Sequence, residues 1–154
     1  MIAPSVSTTA NIRAATPADL PAIERLLAAN DLPIAGVRAC LDTLVVAESD
    51  NEIVGVAGLE CCAQDALLRS VAVRSEWRSK GLGRALVSRV ISDAEARGMR
   101  ALYLLTTTAE RYFPTFGFQR IERAQVPEAV RATEEFTSAC PDTAVAMTRP
   151  LART

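Results

Sequence analysis

Apolar residues recur along this chain at two spacings, and each change of spacing marks an element. Ile23, Leu26 and Leu27 fall on one stripe of a helix expected to run to about residue 29. Ahead of it, Thr16 stands as N-cap, Pro17 as the first helical residue and Asp19 three places after the cap, a capping-box-like start. The "NDLP" of residues 30–33 breaks that helix, and a second short one is expected over 34–41. The spacing then shortens to that of strands. "TLVVAES" (43–49) and "EIVGVAGLECC" (52–62) flank Asp50-Asn51, a pair suited to a hairpin turn, and "ALLRSVAV" (66–73) follows. A short strand at 12–15 precedes them all. Helical spacing returns over 82–97 with Leu82, Leu86, Val90, Ile91 and Ala94 inward, and Gly98 stops it. "RALYLLT" (100–106) is almost wholly apolar, as in a strand buried on both faces. A short helix at 109–116, a strand at 117–122, a helix at 127–136 and a strand at 143–148 complete the order βααβββαβαβ(α)β. That order predicts an α/β fold, a mixed sheet flanked by helices.

Composition narrows the function classes. A chain of 154 residues suits one domain, expected over 12–154, with residues 1–11 as a loose tail. The net charge of −1 argues against the broad basic face that non-specific nucleic-acid binding needs. No apolar run reaches the roughly 18 residues of a membrane span, and the opening "MIAPSVSTTAN" lacks the basic and apolar regions of a secretory signal. Of the four cysteines, Cys61 and Cys62 are neighbours that point to opposite faces of a strand, and no CxxC occurs. They read as buried thiols of a reducing cytoplasm. The absence of histidine removes a histidine triad, the commonest zinc sets and a histidine base. No metal is expected.

The segment "RSEWRSKGLGRALVSRV" (74–90) carries the chemistry. A strand, a glycine loop and a helix N-terminus make a generic anion site, because the first helical N–H groups lack internal acceptors. The loop matches neither the dinucleotide fingerprint nor the P-loop pattern. On these grounds alone an anion-binding loop and a plain strand-to-helix turn both remain open.

"VAVRSEWRSKGLGRALVSRV" resembles motif A of the GNAT superfamily of acetyl-CoA-dependent N-acetyltransferases, (Gln/Arg)-x-x-Gly-x-(Gly/Ala), with Arg78, Gly81 and Gly83 in its fixed places. "AERYFPTFGF" is similar to the family's short helix ending in Gly-Phe. The resemblance implies the GNAT acyltransferase fold with a mixed, mostly antiparallel sheet, and acetyl-CoA as donor. It implies that Val71, Ala72 and Val73 offer backbone groups to the pantetheine arm. Around the pyrophosphate it places the amides of Ser79, Lys80, Gly81, Leu82, Gly83 and Arg84, with the side chains of Arg78, Lys80 and Arg84 neutralising charge. The family's usual acid, a tyrosine four residues before the Gly-Phe glycine, is Phe113 here; Tyr112 lies one residue earlier, about 100° round a helix, and is the candidate catalytic residue beside Glu60, with packing or substrate contact as its alternative. Thr106 replaces the asparagine common at the end of the preceding strand. For the base, the resemblance points to Glu60, then Glu110, with a water chain as the alternative.

"LYLLTTTAERYFPTFGF" further resembles the acetyltransferase portion of N-acetylglutamate synthases. The longer run to "DTAVAM" resembles the arsenic-resistance (arsN-type) N-acetyltransferases, some of which acetylate arsinothricin, an arsenic-containing glutamate analogue. Both imply a small acidic amino acid as acceptor. A guanidinium matches a carboxylate bidentately, so Arg69 is the leading acceptor ligand, with a structural ion pair as its alternative. Arg131, Thr107 and Glu135 are the weaker candidates, and Cys140 reads as a buried structural cysteine. A homodimer is compatible with this reading. The competing readings are acetylation of another amine (a protein N-terminus, a lysine or a polyamine) and a non-catalytic acyl-CoA-binding module.

Overall fold

The computed structural model describes residues 10–34, 36–78, 81–107, 109, 111–133, 136–137 and 144–151. Seven strands form one sheet: β1 (Asn11–Ala14), β2 (Leu44–Ser49), β3 (Glu52–Cys62), β4 (Asp65–Val73), β5 (Ala101–Thr106), β6 (Gln119–Ile121) and β7 (Val145–Pro150). Their spatial order is β1-β2-β3-β4-β5-β7-β6. β4 and β5 are parallel and every other neighbouring pair is antiparallel, so the expected mixed, mostly antiparallel sheet is what forms. Asp50 and Asn51 both take left-handed backbone angles (φ 51° and 64°), which match a tight turn to the twist of β2 and β3.

Helix α2 (Leu82–Ala96) covers one face of the sheet, burying Leu82, Leu86, Val87, Val90, Ile91 and Ala94 against Val45, Ala57, Leu59, Leu68, Leu102 and Leu104. Two separate clusters share the opposite face. Helix α1 (Leu20–Ala29) lays Leu20, Ile23, Leu26 and Leu27 on Leu44, Val46, Val56 and Ala72. Further along, the single-turn helix α3 (Glu128–Arg131) sets Val130 against Cys62, Leu67 and Ala146. Between those clusters a stretch of β3 and β4 is left for polar side chains.

Several expectations shift. The helix expected at 34–41 is a 3-10 turn at Arg38–Thr43, because Gly36 takes a left-handed angle (φ 82°) that no helix can continue through. The segment at 109–116 tightens to a 3-10 turn at Phe113–Phe116, and of the helix expected at 127–136 the described residues show α3 and a π-helical turn at 136–137, while 134 and 135 lie outside the described residues. β5 alternates between buried residues facing α2 and half-buried ones on the other side, instead of being buried on both. The last strand sits two residues later than expected, starting at Val145. Asn11, assigned to the tail, begins β1, and the rest of that tail up to residue 9 lies outside the described residues. The buried-thiol reading holds for Cys40 and Cys62 but not for Cys61, which is exposed on the opposite side of β3; Cys140 lies outside the described residues.

Candidate active site

β4 positions the site through an irregularity. Its register with β3 passes from Gly58↔Arg69 to Val56↔Ala72, so one extra residue bulges from β4, with Ser70 at φ 61°. The bulge exchanges the faces of the strand. Ala66 and Leu68 face α2 before it, and Val71 and Val73 do so after it; Leu67, Arg69 and Ala72 share the other face. Arg69 therefore stands between the two clusters of that face.

β4 also parts from its parallel neighbour. Pairing with β5 covers Ala66↔Leu102 and Leu67↔Tyr103, after which β4 runs on to Val73 and β5 to Thr106 with no further ladder between them. The β5-facing backbone groups of Val71, Ala72 and Val73 are thereby open to an extended ligand with amide groups of its own.

The open edge leads to the N-terminus of α2. Gly81 is the N-cap at φ 81°, a conformation that glycine adopts without penalty. The first helical bond runs from the Ala85 N–H to the Gly81 carbonyl at 3.0 Å, leaving the amides of Leu82, Gly83 and Arg84 without helical acceptors. The Leu82 side chain is buried and pins the turn, and Gly83 presents bare backbone. Arg78 and Arg84 are both exposed at this end. Arg78 Nη2 donates to Asn30 Oδ1 at 2.5 Å, and Asn30 Nδ2 donates in turn to the Leu26 carbonyl at 2.9 Å, tying the loop to the end of α1. Ser79 and Lys80 lie outside the described residues.

The segment after β5 closes the same corner. Buried Thr106 accepts a hydrogen bond from the Ala109 N–H at 2.9 Å, which starts the turn; Thr107 is exposed, and Glu110 lies outside the described residues. Phe113, at the family's acid position, is 8% exposed and packs edge-on against Phe118, with ring centroids 5.8 Å apart. It is core. The half-buried Tyr112 turns elsewhere: a Cβ at Gly83 would lie 3.3 Å from its Oη. Burial pushes the Tyr112 hydroxyl above its usual pKa, with the Arg84 charge opposing.

Glu60 and Arg69, singled out separately as base and acceptor ligand, are bonded to each other. Arg69 Nη1 donates to Glu60 Oε1 at 2.9 Å and Arg69 Nε donates to Ser70 Oγ at 3.1 Å. The Arg69 side chain is 0% exposed and that of Glu60 is 26% exposed. Gly36 closes over the guanidinium, so a Cβ there would sit 2.8 Å from Arg69 Nη1. Arg131 is exposed at the end of α3, and Glu135 lies outside the described residues. Sequence reasoning missed Ser70, Asn30 and Gly36 as partners of this site. Asn30 was visible only as part of a helix-breaking "NDLP", and a serine inside "LLRSVAV" was the one local hint of the bulge.

No group of three or more metal-ligating side chains occurs among the described residues, and no helix among them is long and apolar enough to cross a membrane.

The described residues thus bring together a parallel strand pair that parts and a glycine-bearing helix N-terminus at one corner. A family model described as acetyltransferase (GNAT) domain matches residues 41–120, and the chain belongs to the GNAT acetyltransferase family. Among curated relatives it is 33% identical over 89 residues to an amino-acid acetyltransferase of Aeromonas salmonicida, covering 56% of this chain and 20% of the relative. It is 28% identical over 129 residues to the amino-acid acetyltransferase of Pasteurella multocida, covering 78% and 29%. The chain thus spans less than a third of the length of these relatives. In fold it matches N-acetylglutamate synthase from Neisseria gonorrhoeae, solved with coenzyme A and N-acetyl-glutamate, at a TM-score of 0.81 and 23% identity, over 94% of this chain and 35% of that one. Rv2747 from Mycobacterium tuberculosis, solved in complex with CoA, matches at 0.78 and 22% identity over 92% of this chain and 99% of its own.

Proposed function

We propose that this chain transfers the acetyl group of acetyl-CoA to the α-amine of a small acidic, glutamate-like amino acid. The observation that carries the reading is the parted β4–β5 pair leading into the free amides of α2. The likeness to amino-acid acetyltransferases supports the acceptor class. The open edge at Val71, Ala72 and Val73 suits the amides of pantetheine. The N–H groups of Leu82, Gly83 and Arg84 suit a diphosphate, with Arg78, Lys80 and Arg84 supplying countercharge and Ser79 a further amide.

Acetyl-CoA supplies an acyl thioester; the protein's own groups align it and manage protons. The acceptor must lose a proton from its ammonium group, and Glu60 is the carboxylate held on that face to take it, directly or through water. Arg69 works on the acceptor through Glu60, since its side chain has no exposed surface with which to touch a ligand. Arg131, exposed on helix α3, is the guanidinium assigned to an acceptor carboxylate, and Thr107 and Glu135 are the further acceptor candidates. Thr106 retains a hydroxyl proton to donate into the parted edge. A coenzyme A thiol ionises near the cysteine range, so it can leave as a thiolate and be protonated by water. Arsinothricin falls within the same acceptor class.

The test is thiol release from acetyl-CoA with L-glutamate, arsinothricin, lysine, a peptide N-terminus and spermidine as acceptors. Turnover with the first two and little with the rest is expected. Coenzyme A should also raise the melting temperature of the wild type and not of Gly83→Val, in which a branched side chain occupies the diphosphate's approach. Equal thermal shifts would overturn the loop assignment, and preference for spermidine or a peptide would overturn the acceptor class.

A further inference from the structure

Tyr112 is one place from the family's acid position, yet the fold gives its hydroxyl a definite seat. The point where a Cβ at Gly83 would stand is 3.3 Å from Tyr112 Oη and 3.7 Å from Val73 Cγ2. The hydroxyl, the last residue of β4 and the first turn of α2 therefore converge on the corner where the open strand edge meets the free amides. The ring is held on several sides. Phe113 and Phe116 pack against it edge-on at 5.4 Å and 5.3 Å between centroids. The Arg84 guanidinium lies over Phe116, 5.2 Å from its centroid, and Arg149 Nε donates to the Phe116 carbonyl at 2.7 Å. So placed, the hydroxyl makes no hydrogen bond among the described residues. A phenol is protonated at neutral pH, burial only strengthens this, and the hydroxyl has that proton to donate.

We propose that Tyr112 binds the acyl donor: its hydroxyl donates to the diphosphate in the space left by the missing side chain of Gly83, and the two residues act as one unit in setting affinity for coenzyme A. The proposal rests on acetyl-CoA being the donor. It gives the tyrosine a binding role on the diphosphate side, not proton delivery to the leaving sulfur. It also adds an inner reason for glycine at 83: an alanine there would press on the phenol as well as on the ligand.

The experiment compares wild type, Tyr112→Phe, Gly83→Ala and the double variant. Calorimetry gives the Kd for coenzyme A, and kinetics with acetyl-CoA and with S-acetylpantetheine, which lacks the diphosphate, give KM and kcat. Tyr112→Phe should raise the Kd for coenzyme A about tenfold or more, the loss expected for one hydrogen bond to a charged acceptor. The KM for S-acetylpantetheine should not move, and kcat should fall by less than tenfold with an unshifted pH profile. Gly83→Ala should also weaken coenzyme A, and the double variant should be no weaker than the worse single one. A kcat loss of a hundredfold or more with unchanged Kd and a lost alkaline limb would make Tyr112 the general acid and overturn the proposal. So would equal effects on both donors, which mean packing alone, or fully additive losses. Absence of coenzyme A binding to the wild type would instead overturn the acetyl-CoA reading beneath it.

Discussion

Removing either partner of the Glu60–Arg69 pair should destabilise the protein, but unequally. Breaking a buried ion pair by deleting one partner costs about 3–5 kcal/mol, mostly because the survivor is left as a desolvated charge. In Glu60→Ala the survivor is Arg69, whose side chain is 0% exposed and lies under Gly36. Ser70 Oγ still accepts from its Nε and Glu60 is not the sole partner of Arg69, so the loss belongs at the low end, about 3 kcal/mol. In Arg69→Met the survivor is Glu60, which is already 26% exposed and can hydrate, while methionine fills the space of the aliphatic stem. That loss should be about 1–2 kcal/mol. At roughly 2–4 °C per kcal/mol for a chain of this size, Glu60→Ala should lower Tm by about 6–12 °C and Arg69→Met by about one-third to two-thirds of that. Thermal and urea unfolding followed by circular dichroism measure both. The double variant should lose clearly less than the two singles together, since both singles break the same Glu60–Arg69 bond. A larger loss for Arg69→Met, or strict additivity, would refute the reasoning. The same series separates support from contact: Arg69→Lys should lower Tm and change the acceptor KM by less than about threefold, a loss below that of a charged hydrogen bond. A KM rise of tenfold with unchanged Tm would place Arg69 on the acceptor itself.

The Asp19 carboxyl is held at about 2, from an ordinary 3.8, mainly by the hydrogen bond from Arg13 and in part by the Thr16 N–H, against the opposing effect of burial. A depressed carboxylate stabilises the folded state fully above 3.8, and that contribution is lost as pH falls from there to about 2. Tm should accordingly drop more steeply between pH 5 and pH 2 in the wild type than in Asp19→Asn; parallel slopes would contradict the assignment. Burial also pushes the Cys62 thiol up to about 12, whereas its neighbour Cys61 is exposed. Iodoacetamide at pH 8 should alkylate Cys61 first and leave Cys62 and Cys40 protected in the native protein, as peptide mass spectrometry will show; comparable labelling of Cys61 and Cys62 would reverse the strand facing inferred here.

What local rules determine was legible in the chain. The α1 and α2 stripes, the Asp50-Asn51 turn, the limits of β3 and the glycine start of α2 depend on residues a few places apart, whose backbone and burial preferences act before any distant contact forms. The motif around Arg78, Gly81 and Gly83 was likewise continuous and readable. Where long-range packing competed, the sequence pattern misled: Gly36, folded over Arg69, replaces the helix expected from 34 by a 3-10 turn from Arg38, and one face of β5 is half-buried. The decisive features of the site join segments far apart in sequence. The Ser70 bulge is visible only in the register of β4 against β3, and it exchanges every side chain beyond it between the two faces. The parting of β4 from β5, the seat of Tyr112 on Gly83 and the bond from Arg69 to Glu60 likewise arise only when the sheet is assembled. Strand periodicity says that a residue alternates; only the partner strand decides which face it meets and which charge waits there.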